Sequence, residues 1–191
     1  MASMSTVPHP VRYTYEEYLR VEEYSNVRHE YLDGQIYPMT GGTVEHSALS
    51  NAVATILIPQ IRGRCTTFNS DLRIRTSSDL TTYPDVSVVC GPLERDAISH
   101  DTITNPRLIV EVLSRTTEAY DRGQKFEHYK SINALQQYVL VSQDERVVEV
   151  WTRGENNRWT SATYRDGEVA TLPSINAQLD IRELYETGTV R

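Results

Sequence analysis

The sequence of 191 residues lacks most features that mark secreted, zinc-binding or membrane-spanning proteins. Its two cysteines, Cys65 and Cys90, cannot build a disulfide framework, and no histidine lies at zinc-finger spacing from them. Residues 1–10 lack a basic start and an apolar stretch, so no secretory signal is expected. The longest nearly apolar segment, 52–58, is too short to cross a bilayer. These absences predict a cytoplasmic protein without a membrane span, in which two free thiols are normal.

Positive charge is also scarce, because 26 acidic residues outnumber 19 lysines and arginines and give a formal net charge of −7. Phosphate binding depends largely on cations, so this balance argues against a strong, sequence-independent affinity for nucleic acid. A DNA substrate is still compatible with it, because charge acts locally and an acidic metal site contributes to the total. With 39% hydrophobic residues, the composition fits a compact core.

Residues 1–12 have two prolines, small residues and no periodicity, and they are predicted to form a flexible tail before a single domain at 13–191. Thr14 and Glu17 have capping-box spacing and predict a helix that ends near Tyr24. Asp33-Gly34 predicts a tight turn between strands 29–32 and 35–39. A second helix is predicted after Gly41-Gly42, with core-facing residues Leu49, Ala52, Val53, Ile56 and Ile61.

The remaining pattern predicts a strand-rich middle and a hairpin-rich last third. Strands are expected at 65–70, 72–76, 85–90, 107–113, 137–142, 147–152, 158–164 and 168–172, with a helix at 121–132 and a helical turn at 181–186. The fold class is therefore mixed α/β, with a central sheet between helices.

Glu111 is the most informative single residue, because it interrupts the apolar run Leu108-Ile109-Val110-Glu111-Val112-Leu113. A carboxylate inside a buried strand costs several kcal/mol unless it is paired or binds a metal. Either a metal-binding role or a structural pair with a residue such as Arg107 would explain it.

Asp85 adds a second carboxylate, because Pro84-Asp85 opens the preceding strand. If the two strands are neighbours, Asp85 and Glu111 converge, and a hard divalent cation such as Mg²⁺ would relieve their repulsion. The alternative is a turn aspartate that bonds to its own backbone.

Lys125 follows on the next predicted helix, four residues after Asp121 and one turn before Tyr129. An ordinary surface ion pair explains that spacing, and packing explains the tyrosine. Behind the Glu111 strand, however, the lysine could reach over a metal site and offset charge on a phosphate.

Four short motifs follow one another in this part of the chain. They are Pro84-Asp85, Glu111-Val112-Leu113-Ser114, Asp121-Arg122-Gly123-Gln124-Lys125-Phe126 and Tyr138-Val139-Leu140-Val141. Together with the upstream segment Glu30-Tyr31-Leu32-Asp33-Gly34 and His46, their order resembles the Uma-two type restriction endonuclease family. The resemblance spans residues 13–180.

That resemblance implies the PD-(D/E)XK nuclease fold and Mg²⁺-dependent hydrolysis of phosphodiester bonds, with Mn²⁺ as a substitute. Asp85 and Glu111 match the two acids, and the carbonyl near Val112 would complete the metal ligands. The family lysine would stand at position 113, where this chain has Leu113, so its role passes to Lys125.

Four further residues are expected to support the catalytic ones. The resemblance implies a supporting acid at Glu30 and a proton-handling or supporting group at His46, whereas a cap or core role is the ordinary alternative for that histidine. Asp121 and Tyr129 are the other two. The expected substrate is double-stranded DNA and the expected assembly a homodimer. The alternative function is an inactive interaction domain that kept the nuclease fold.

Overall fold

The computed structural model describes residues 11–189. This part of the chain contains five α-helices and thirteen β-strands. The helices are α1 (Tyr15–Tyr24), α2 (Val44–Ile61), α3 (Glu118–Arg122), α4 (Gln124–Tyr129) and α5 (Ile181–Thr187). The strands are β1 (His29–Leu32), β2 (Gln35–Pro38), β3 (Cys65–Asn69), β4 (Arg73–Arg75), β5 (Leu80–Thr82), β6 (Val86–Cys90), β7 (Thr102–Ile103), β8 (Leu108–Leu113), β9 (Gln137–Ser142), β10 (Val147–Arg153), β11 (Trp159–Arg165), β12 (Val169–Leu172) and β13 (Ala177–Asp180).

The strands pair into three sheets. A six-stranded sheet has the order β11-β10-β9-β8-β6-β3, a five-stranded sheet the order β2-β1-β5-β4-β7, and β12 pairs with β13. In the larger sheet β8 runs parallel to β9 and antiparallel to β6. The parallel pair needs a crossover connection, and α3 and α4 supply it. The mixed α/β architecture expected from the sequence is confirmed.

The N-terminal helix and hairpin form where their end signals predict. The Thr14 hydroxyl accepts a hydrogen bond from the main-chain N–H of Glu17, whose carboxylate accepts one from the N–H of Thr14. Asp33 and Gly34 both adopt positive φ, 49° and 82°, in the turn that joins β1 to β2. Of the predicted tail, only Val11 and Arg12 belong to the described residues; both are exposed, and the rest lies outside them.

The two faces of the larger sheet are covered by different layers, which explains why β8 is nearly all apolar. Val110 and Val112 pack with α2, α5 and the β12–β13 pair. Ile109 and Leu113 face α4 and the five-stranded sheet. All six residues of β8 are buried, as expected for a strand covered on both sides.

The predicted helix at 121–132 is wrong in its bounds, because the chain forms α3 and α4 with a break at Gly123. Gly123 has φ −108° and ψ −103°, outside the helical region. A Cβ there would lie 2.9 Å from the carbonyl oxygen of Ala119, so the close approach of these turns depends on glycine. The short strands β5, β7 and β13 were not predicted, since segments of two to four residues carry little periodicity.

The expectation of two free thiols is also wrong. Cys65 and Cys90 form a disulfide between β3 and β6, where they are directly opposed in the register. Their separation of 25 residues gives no indication of this pairing, which only the strand register produces. Within residues 11–189, no helix combines the length and apolar character that crossing a bilayer requires.

Candidate active site

Asp85 and Glu111 lie on the same side of the larger sheet, at the point where β6 begins. The register pairs Val86 with Val110, so Asp85 stands opposite Glu111 just outside the strand. The main-chain N–H of Asp85 is 3.4 Å from Oε2 of Glu111, and the N–H of Val112 donates to Oδ2 of Asp85 at 2.7 Å. The two carboxylates therefore converge, as their sequence positions led us to expect.

Lys125 reaches this place from α4 and contacts three carboxylates. Its Nζ lies 2.9 Å from Glu111, 3.2 Å from Glu30 and 3.5 Å from Asp121. The lysine side chain is only 7% exposed. An ammonium has three N–H donors, so these carboxylates can use all of them. The alternative of an ordinary surface pair between Asp121 and Lys125 does not apply, because both side chains are buried.

Two buried tyrosines donate hydrogen bonds to this cluster, one to a carboxylate and one to the main chain. The hydroxyl of Tyr129 donates to Oε1 of Glu111 at 2.7 Å, and that of Tyr138 donates to the main-chain oxygen of Asp121 at 3.0 Å. Tyr129 was expected to act as a packing residue or phosphate donor. In the structure its hydroxyl is committed to Glu111.

Glu30 enters the site from the five-stranded sheet. Its carboxylate accepts a hydrogen bond from the hydroxyl of Thr82, on the adjacent end of β5, and contacts the Lys125 ammonium. The cluster of acids thus joins both sheets, which is why residues far apart in sequence meet there.

His46 contacts the same centre from the start of α2. Its Nε2 is 3.0 Å from Oδ2 of Asp85, and this hydrogen bond, which outweighs burial, raises the pKa of the imidazole. The main-chain oxygen of Val112 acts on the ring in the same direction. A Cβ on Gly42 would lie 2.8 Å from Nδ1 of His46, so glycine leaves the space that the ring occupies. The cap of α2 is Thr43, whose hydroxyl accepts from the N–H of His46.

Electrostatics at the site are dominated by excess negative charge. The Lys125 ammonium contacts the carboxylates of Glu111, Glu30 and Asp121, and the fourth acid, Asp85, contacts His46. Burial raises the pKa of Glu111 to about 8, with Asp85 and Asp121 acting in the same direction against Lys125. Burial likewise raises the pKa of Asp121. Burial opposes the charge on Lys125, but its acidic neighbours outweigh that effect and raise the pKa of the amine, so it stays cationic.

A Mg²⁺ ion at this place would have only a small number of protein ligands. Within residues 11–189, no group of three or more His, Cys, Asp or Glu side chains is arranged to hold a metal by itself. Mg²⁺ commonly takes one or two carboxylates and fills its other positions with water and substrate phosphate. Asp85, Glu111 and the oxygen of Val112 supply donors of that kind, and the surplus of carboxylates favours a cation.

All the residues singled out in the sequence meet at this site, namely Glu30, Asp85, Glu111, Asp121, Lys125, Tyr129 and His46. Sequence reasoning gave Tyr138 only as the first residue of a motif. It missed Thr82 and Tyr120, of which Tyr120 faces the Lys125 ammonium with its ring centroid 5.9 Å from Nζ. Nothing in their spacing sets these residues apart. The one available signal was that Tyr120 directly precedes Asp121, a predicted site residue.

The central mixed sheet and its flanking helices define a protein of the restriction-endonuclease-like fold. The chain superimposes with a TM-score of 0.75 on a crystal structure of "a putative nuclease belonging to DUF820" from Anabaena variabilis ATCC 29413. That match covers 91% of this chain and 98% of the other at 19% identity, so it shows the fold alone.

Residues 15–182 match the family model Uma2, described as "Putative restriction endonuclease", and the chain belongs to that family. Two relatives come from Synechocystis sp. (strain ATCC 27184 / PCC 6803 / Kazusa). "Uncharacterized protein slr1290" is 41% identical over 89% of this chain and 90% of its own length. "Uncharacterized protein sll1609" is 34% identical over 76% of this chain and 84% of its own length.

Proposed function

We propose that this protein is a Mg²⁺-dependent endonuclease that hydrolyses phosphodiester bonds in double-stranded DNA. The observation that carries the proposal is the convergence of Asp85 and Glu111 from adjacent strands, with the Lys125 ammonium 2.9 Å from Glu111. Membership of a family described as restriction endonucleases supports the same reaction.

When bound, the ion supplies a positive charge that polarises the phosphate and lowers the pKa of a coordinated water. Asp85, Glu111 and the main-chain oxygen of Val112 would hold it. In the reaction, a water oxygen forms a bond to phosphorus while the bond from phosphorus to the 3′ oxygen breaks. The attacking water loses a proton to solvent, and the 3′ oxygen takes one from solvent.

Lys125 has two tasks in this scheme. It keeps Glu111, Asp121 and Glu30 together before the ion arrives, because a buried carboxylate cluster without a cation is strongly unfavourable. Its ammonium also supplies positive charge close to the charge that develops on the phosphate. Mn²⁺ can substitute because it accepts similar oxygen ligands.

The oligomeric state and the cellular location belong to the same proposal. One site cuts one strand, so cleavage of a duplex by a homodimer uses two sites. Light scattering after size-exclusion chromatography tests this, and a monomer at micromolar concentration would count against it. The cytoplasm is the proposed location of this reaction.

Cleavage of supercoiled plasmid with Mg²⁺ and with EDTA tests the function. The variants Asp85→Asn, Glu111→Gln and Lys125→Met should each lose about a hundredfold or more in rate. Matched controls are Glu127→Gln and Lys130→Met, because Glu127 of α4 pairs at 2.6 Å with Lys130, which follows the helix, and Glu127 is 69% exposed. The controls should cut like the wild type.

Two outcomes would remove the proposal. Undiminished cutting by all three site variants would show that the reaction occurs elsewhere. Absence of cutting, together with no Mg²⁺ binding in calorimetry, would support the inactive interaction domain instead, since such a domain has no need of a metal between Asp85 and Glu111.

A further inference from the structure

The cations around the site leave the phosphate without an evident hydrogen-bond donor. The three N–H groups of Lys125 face three carboxylates. Arg122, which precedes the helix break, is paired with Glu118 and Glu149. A phosphate that reaches the site therefore needs a donor other than these two side chains.

Tyrosine hydroxyls are the other strong donors near the cluster, and two of them are already used. Tyr129 and Tyr138 are completely buried, and their hydroxyls donate to Glu111 and to the backbone of Asp121. Neither can turn to a ligand without breaking a buried hydrogen bond, which costs about 1–3 kcal/mol.

Tyr120 differs from both. It is half-buried, and its ring packs on the core beneath α4. Among residues 11–189, the Tyr120 hydroxyl has no hydrogen bond to a protein group, and only burial and nearby charges act on the phenol. The Lys125 ammonium lies 5.9 Å from its ring centroid, which places the ring beside the carboxylate cluster. Burial and the nearby Glu30 raise the pKa of the phenol, so it remains a donor at neutral pH.

We propose that the Tyr120 hydroxyl binds a phosphate group at this site, by donating a hydrogen bond to a non-bridging phosphate oxygen. The proposal rests on the proposed function for the identity of the phosphate, which is then the scissile one in DNA. Tyr120 immediately precedes Asp121, so the α3 turn that places an acid beside Lys125 also places the phenol at the edge of the cluster.

Inorganic phosphate, titrated by calorimetry into the Mg²⁺-saturated protein, tests this contact without requiring cleavage. Tyr120→Phe removes only the hydroxyl, and phosphate affinity should fall about tenfold because one hydrogen bond to a charged group is lost. The affinity for Mg²⁺ and the melting temperature should not change. Tyr24→Phe is the control, because Tyr24 is 82% exposed on α1.

The outcomes separate this inference from the proposed function. Equal phosphate affinity of wild type and Tyr120→Phe, or no phosphate binding by the wild type, overturns the role of Tyr120. A tenfold loss in a protein that cuts no DNA supports the phosphate contact and rejects the nuclease reaction. Normal cutting by Tyr120→Phe with unchanged phosphate affinity leaves the nuclease function standing and rejects the contact.

Discussion

The main-chain N–H of Val112 donates a 2.7 Å hydrogen bond to Oδ2 of Asp85, just before β6 begins, so the aspartate partners β8 on the side that faces away from β9. The aspartate thus serves the sheet as well as the proposed ion. Its replacement therefore has consequences for stability that depend on the substituent.

Asp85→Ala should destabilise the protein by about 1–3 kcal/mol more than Asp85→Asn, because alanine leaves the buried N–H of Val112 without an acceptor. The asparagine oxygen can still accept that hydrogen bond. Urea unfolding monitored by circular dichroism measures the difference. Equal stability of the two variants would show that the hydrogen bond contributes little.

Lys125→Met should lower the free energy of unfolding by about 3–5 kcal/mol, because it leaves several buried carboxylates without their cation. Adding Glu111→Gln to this variant should recover part of the loss, since one of those carboxylates disappears. A double-mutant cycle in urea quantifies the coupling. If the two changes in the free energy of unfolding simply add, Lys125 and Glu111 do not interact as the structure indicates.

Gly123→Ala should destabilise the protein by about 1–3 kcal/mol and weaken Mg²⁺ binding. The new Cβ would meet the Ala119 carbonyl at 2.9 Å and force α3 and α4 apart, moving Lys125 away from Asp121. Gly41→Ala is the matched control, because a Cβ there meets nothing within 4 Å. Thermal melts and calorimetry compare them, and indistinguishable variants would refute the role of the break.

The acid side of the stability profile should depend on Asp96. Burial tends to raise its pKa, but the N–H groups of Ile98 and Ser99 and the guanidinium of Arg75 at 2.9 Å outweigh burial and lower that pKa from its ordinary value. An aspartate whose pKa is lower in the folded than in the unfolded state stabilises the fold at pH values above its unfolded-state pKa. That stabilisation is lost as the pH falls through the folded-state pKa. Asp96→Asn should therefore flatten the decline of melting temperature below about pH 4. Parallel profiles for both proteins would contradict this.

Loss of the Cys65–Cys90 disulfide should reduce the free energy of unfolding by about 3 kcal/mol, because the bond closes a loop in the unfolded chain. The two cysteines are 25 residues apart and partly buried against the core. Urea unfolding of the Cys65→Ala/Cys90→Ala double variant, with and without a reductant for the wild type, tests this. If reductant does not change the free energy of unfolding of the wild type, the disulfide does not contribute to stability.

The local elements of this protein were predictable because their signals are contained in a few neighbouring residues. The Thr14–Glu17 cap, the Asp33-Gly34 turn and the apolar run around Glu111 each act through contacts within one element or its ends. The break at Gly123 escaped prediction because it depends on how closely two turns approach, which periodicity does not report.

By itself, the sequence determined which residues had to be exceptional: a carboxylate inside a buried strand must find a partner, whatever the fold. Only the tertiary structure decided which partners these are. The antiparallel register of β6 and β8 sets Asp85 opposite Glu111, and the meeting of two sheets brings Glu30 to Lys125. Such contacts join residues far apart in the chain, and their geometry is fixed by packing of the whole domain rather than by any local pattern.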